Sequence, residues 1–186
     1  MCKIVYLTSR RFDEPSNKFK KALADELRKR NVEVVVDSSY DFFNYFRKHK
    51  TYGIALAFDF YRDGKEGCGL TLNKNCSAIG RDFAYNLSND YDILTPRLHW
   101  RDFKYVNSDD REWYKFFNKV SSTTKAIFYL CTYTNESDWN AFSVAFENIV
   151  KLFAEEIVRC LRSEYDTEDY RKRVRRAKLR TNKVNK

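Results

Sequence analysis

The apolar residues of this chain come in short blocks whose spacing switches between a strand period and a helix period. Lys3–Thr8 is a compact apolar run suited to a buried strand. Past Pro15 and Ser16, the spacing of Phe19, Leu23 and Leu27 predicts a helix from Asn17 to about Arg30. Val32–Val36 is β-branched and reads as a second strand, and Ser38 or Ser39 can cap a helix over Tyr40–Lys48 with Phe42, Phe43 and Phe46 inward. Ile54–Phe60 is apolar almost throughout, as a central parallel strand would be. Further on, Gly69–Leu72 reads as a short strand, Ser77–Leu87 as a helix, Trp100–Val106 as an extended segment and Lys125–Tyr133 as a strong strand. The longest predicted helix runs from Trp139 to Leu161 on a stripe of Phe142, Phe146, Ile149, Phe153 and Ile157. This alternation predicts an α/β domain over residues 1–163: three layers, with a mostly parallel central sheet and helices on both faces.

Charge changes the picture beyond that domain. Residues 164–186 are expected to form a separate basic helix or tail, which Asp166 or Thr167 can cap. The last sixteen residues, Arg171 to Lys186, hold nine Lys or Arg and no Asp or Glu. The chain carries 35 basic and 26 acidic residues, so residues 1–170 keep 26 of each and sum to zero. A neutral body with a cationic arm is a pattern that meets phosphate backbones or acidic surfaces. The arm's apolar stripe is only Tyr170, Val174 and Ala177, so it is expected to order on a partner.

Composition removes several functions. Five cysteines, an odd count without a CxxC pair, read as free thiols in a reducing compartment rather than as zinc ligands. His49 and His99 are the only histidines, too few for a three-histidine metal site. There is no P-loop, GxGxxG, HExxH or GxSxG string, and Gly64, Gly67 and Gly69 are better explained by a turn than by a phosphate cradle. No apolar run is long enough to span a membrane and the N-terminus is too polar for a signal sequence, so a cytoplasmic protein without a membrane partner is expected.

Several strings, in this order of elements, resemble the zinc-dependent N-acetylmuramoyl-L-alanine amidases that cut peptidoglycan, over about residues 3–161. Where that family has a strand ending SLHAD, with a zinc-binding histidine, residues 55–59 read ALAFD. Gly69 to Ser77 reads GLTLNKNCS, like the family's short strand ending near Asn-Ser, and Leu130 to Asp138 reads LCTYTNESD where the family places its catalytic glutamate and following loop. The resemblance implies an amidase-like fold. It also puts Ala57 in the zinc-histidine slot and Leu130 in the catalytic-glutamate slot; Glu14 stands near the family's glutamate ligand, and Ser9–Asn17 contains no histidine. Zinc hydrolysis needs about three N or O ligands and a group to handle the proton of the attacking water. An alanine and a leucine supply neither, so the resemblance implies the scaffold without the amidase chemistry.

Three functional readings remain. In the first, the protein binds RNA or a ribonucleoprotein. Arg171, Lys172, Arg173, Arg175, Arg176, Lys178 and Arg180 of the arm would reach phosphates, helped by Arg10, Arg11, Arg62, Trp100 and Arg101 near the strand ends. Intracellular chains with borrowed lysis-enzyme folds look like phage or mobile-element products. By that analogy the partner is a guide RNA–nuclease complex and the protein an anti-CRISPR-type inhibitor. The second is a metal-dependent ribonuclease in which Asp59, with Glu14 and Glu66, holds Mg²⁺. The third is a peptidoglycan-binding pseudoenzyme. Only the ribonuclease needs a cofactor, and no small-molecule ligand is expected.

Overall fold

The structure, a computed structural model, describes residues 4–9, 13–37, 53–73, 76–106, 116–117, 120, 122 and 124–184, with the side chains of 105, 106 and 164–184 left out. Six strands form one sheet: β1 (Ile4–Ser9), β2 (Glu33–Val36), β3 (Ile54–Tyr61), β4 (Cys68–Asn73), β5 (Trp100–Val106) and β6 (Thr124–Thr132). Their order is β2-β1-β3-β6-β4-β5. β2, β1, β3 and β6 are parallel, β4 runs antiparallel to β6, and β5 runs parallel to β4. The predicted mostly parallel α/β sheet is therefore present. The reversal of β4 follows from chain geometry, because the short 62–67 connection returns the chain from the end of β3 without a crossover helix.

Among the described residues three long helices cover the sheet: α1 (Glu14–Lys29), α2 (Ala78–Leu94) and α3 (Glu136–Val184). Asp13 caps α1, its Oδ1 accepting from Ser16 N at 3.1 Å, and Pro15 sits in the first turn where it displaces no hydrogen bond. Ser77 caps α2, accepting from Gly80 N at 3.1 Å. That helix runs seven residues past the predicted end, because Tyr91 still faces inward and donates to the Leu130 carbonyl at 2.5 Å. It stops at Thr95, before Pro96. α3 continues to Val184 with no break near residue 163; no Gly or Pro occurs between Glu136 and Val184 to stop it.

These three helices pack on one face. Phe19, Leu23 and Leu27 of α1, Phe83 and Leu87 of α2, and Phe142, Ile149, Phe153 and Ile157 of α3 meet Leu7, Phe58, Phe128 and Leu70 of the sheet. Phe153 touches the rings of Phe19, Phe58 and Phe128 edge-on, with centroids 4.9–5.5 Å apart. On the opposite face Tyr6, Ala55, Ala57 and Ile127 pack against Phe116, Phe117 and Val120, with 116 and 117 helical. The predicted helix over Tyr40–Lys48 lies outside the described residues.

Candidate functional site

Because β1, β3 and β6 are parallel, their carboxyl ends form one rim, and the reversed strands β4 and β5 begin on it. This is the edge where α/β sheets bind ligands. Alternation decides which side chains face which way. Ala57 is fully buried and in register with Thr8 on one side and Ile127 on the other. Asp59 lies next to Tyr129.

Two residues past Asp59, Tyr61 lies across the neighbouring strands. Its ring stacks on Tyr129 at 4.4 Å and 6°, and its hydroxyl donates to Asp102 Oδ2 of β5 at 2.6 Å. The Arg101 guanidinium covers the ring at 4.3 Å from the centroid and pairs with Asp63, donating to Oδ1 at 2.7 Å. Gly69 makes room for this arrangement: a Cβ there would sit 2.3 Å from the Tyr61 hydroxyl. Burial, then the hydrogen bond to Asp102 and its charge, push the Tyr61 phenol far above its ordinary value, so it stays a donor. The Arg101 hydrogen bond brings the Asp63 carboxyl down to about 2.

On the helical face, Lys20 of α1 has no exposed surface and donates to Ser9 Oγ and to the Asp37 carbonyl, both at 2.9 Å. Burial lowers its pKa to about 8, against the raising effect of Asp37 and Asp13. Thr8 Oγ1 donates to Asp37 Oδ2 at 3.2 Å. Arg62 pairs with the capping Asp13 and lies over the Tyr133 ring at 5.0 Å. At the β6–α3 turn, buried Asp138 accepts from Gly67 N at 2.7 Å and Thr132 N at 3.2 Å, tying that turn to the glycine loop. Gly67 has φ +126°, and a Cβ there would lie 2.7 Å from the His99 carbonyl oxygen.

The sequence-predicted site residues are therefore spread out. Asp59 is buried and its Oδ1 accepts from Phe60 N at 2.9 Å, while Glu14 and Glu66 are exposed. Among the described residues no group of three or more His, Cys, Asp or Glu side chains is placed to hold a metal ion. Arg62 and Arg101 are each paired with a carboxylate, and Trp100 packs half-buried against Tyr91 and Phe103. Arg10 and Arg11 lie outside the described residues. Arg171, Lys172, Arg173, Arg175, Arg176, Lys178 and Arg180 lie on the helical backbone of α3, beyond the described side chains. Among the described residues, Cys68, Cys76, Cys131 and Cys160 are buried and in no disulfide, and no helix is long and apolar enough to cross a membrane. Sequence reasoning missed Lys20, although Ser16, Lys20 and Leu23 share the inward face at helical spacing.

The fold is that of an amidase-like α/β domain. Among solved structures the chain is similar to the N-acetylmuramoyl-L-alanine amidase AmiC2 of Nostoc punctiforme, with TM-score 0.65, 11% identity, and coverage of 86% of this chain and 97% of that one. It is also similar to an N-acetylmuramoyl-L-alanine amidase from Clostridium difficile 630, with TM-score 0.61, 14% identity, and 89% and 97% coverage. A third is the catalytic domain of the CD27L endolysin targeting Clostridia difficile, with TM-score 0.60, 16% identity, and 84% and 97% coverage. No protein-family model and no curated protein matches the chain.

Among the described residues, the side chains do not fit the zinc that the sequence resemblance implies. The described side chains beside Ala57 in register are a threonine and an isoleucine, and the rim beyond carries the Tyr129–Tyr61–Arg101 stack. Leu130, matched by sequence to the catalytic glutamate, belongs to the helical-face core, whereas a group serving a metal at Ala57 must share Ala57's face. Lys125, Ile127 and Tyr129 are β6 residues on that face and none is a carboxylate; the carboxylate that does share it, Asp59, accepts from Phe60 N.

Proposed function

We propose that this chain is a binding protein on an amidase-like scaffold, without zinc hydrolase chemistry, and that the basic end of α3 engages a polyanion, with structured RNA as the first candidate. The first half is supported by buried Ala57, which the sequence resemblance sets in the zinc-histidine slot, and by the Tyr129–Tyr61–Arg101 stack on the adjoining rim. The second half is supported by nine cations without an acidic residue in Arg171–Lys186, on a helix that continues to Val184. Arg171 and Arg175, and likewise Arg173 and Arg176, fall on common helix faces at i, i+4 and i, i+3, a spacing suited to bridging successive phosphates. Under this reading, interference with a guide RNA–nuclease complex is one form the binding takes.

The test incubates the full chain with a labelled structured RNA, in Mg²⁺ and in EDTA, on native and denaturing gels, beside sedimentation with peptidoglycan sacculi. Retarded but intact RNA is the expected result. RNA cut only in Mg²⁺ would replace it with the ribonuclease reading. Pelleting with sacculi and no RNA retardation would replace it with a cell-wall binder.

A further inference from the structure

β5 ends the sheet on one side, and among the described residues it has a strand neighbour, β4, on one side only. Sheet edges of this length are usually blunted, since their backbone groups can pair with another chain. The bulge at Arg101 interrupts only the start: Cys68 pairs with Trp100 and Gly69 with Asp102, so Asp102–Val106 runs regularly. Phe103, in register with the core residue Leu70 on the helical face, is 43% exposed. The neighbouring helix α2 exposes Ile93 at 75% and Tyr85 at 63%. Among the described residues, three of the five large exposed apolar side chains thus lie on α2 and the strand that follows it.

The charges on β5 select the partner. In an antiparallel pair of identical strands related by a two-fold axis normal to the sheet, opposed residues share a face, so the axis passes through a residue pair. Centring on Arg101 opposes two guanidiniums, on Asp102 two carboxylates, and on Lys104 two ammonium groups. Centring on Phe103 opposes Phe103 to Phe103 and Asp102 to Lys104, twice. The Asp102 carboxylate is already held by Tyr61 through Oδ2. Lys104 is exposed on the same face, since Asp102 and Lys104 are in register with Gly69 and Thr71.

We propose that two copies of this chain pair through β5, antiparallel about Phe103, joining their sheets edge to edge. Opposed unlike charges and an opposed aromatic pair each favour this register over its neighbours.

The test is sedimentation velocity of the nuclease-treated full chain across a dilution series, with two variants. A concentration-dependent dimer is expected. Lys104→Glu, which sets like charges opposite Asp102 at both positions, should weaken association about tenfold. Phe103→Cys should form an intermolecular disulfide under mild oxidation, mapped by peptide mass spectrometry to that position in both copies, because directly opposed Cβ atoms lie about 4.5–5.5 Å apart. A monomer throughout the series overturns the proposal. So does a dimer that Lys104→Glu leaves unchanged and in which Phe103→Cys does not cross-link.

Discussion

Lys20 shows how much one position departs from its residue type. A lysine normally keeps its ammonium in water, yet this one has no exposed surface and sits between Ser9 Oγ and the Asp37 carbonyl. Its folded pKa of about 8 lies below the value near 10.4 expected when unfolded. Between those two values the unfolded chain binds the extra proton, so stability rises with pH across that window and is lost as pH falls towards 8. Relative to Lys20→Met, the wild-type chain should gain about 3 kcal/mol of unfolding free energy between pH 8 and 10.5, read by urea denaturation at each pH. A flat difference would show that the buried ammonium carries no such penalty. Ala57 departs in the other direction, a small residue where the likeness in sequence places a metal ligand. Restoring that ligand alone should not restore chemistry, since Ile127 and Tyr129 occupy the same face of β6. Ala57→His with added zinc should release no new amino groups from peptidoglycan in a colorimetric amine assay.

At the scale of elements, β1, β3 and β6 were legible from apolar runs, because burial on two faces forces near-continuous hydrophobicity, whereas the less buried β2 was read from its β-branched residues and the charged β5 only as an extended segment. The start of α1 was placed three residues late: Asp13 caps it, and Pro15 and Ser16, read as opening the helix, lie in its first turn. The direction of β4 and the far end of α2 were not legible, since connection geometry sets the first and the inward-facing Tyr91 the second. The rim was legible as a collection of loop residues but not as an arrangement. Nothing in the spacing of Tyr61, Tyr129, Arg101 and Asp102 announces that four residues from three strands meet. Asp138 carries no mark of its role in the string LCTYTNESD; only the fold shows it buried, accepting from two backbone amides. Asp138→Ala strips both amides of their acceptor and should cost about 2–4 kcal/mol in urea denaturation. Asp138→Asn, which keeps an oxygen in place, should cost less than half of that. Equal losses in the two variants would argue that the charge, not the acceptor, holds the turn.

At the scale of the molecule, the protein joins a charge-balanced domain to a cationic helical end. The 49 residues of α3 span roughly 70 Å at 1.5 Å per residue, more than twice the ~30 Å width of a small domain. The helix therefore extends beyond the sheet it packs on. Charge segregation made this division legible in the sequence, while the continuity of the helix across residue 163 was not, because a thin apolar stripe reads as a marginal, separate element. The proposed polyanion grip at that end is tested most directly by the salt dependence of binding. Fluorescence anisotropy with a labelled structured RNA, repeated over a range of salt, should give a logarithmic slope of about −4 to −5 if six of the nine cations meet phosphates. Replacing Arg171, Arg173, Arg175 and Arg176 by Gln should bring that slope about three units closer to zero. Binding that is insensitive to salt, or a variant that keeps the full slope, would contradict the account.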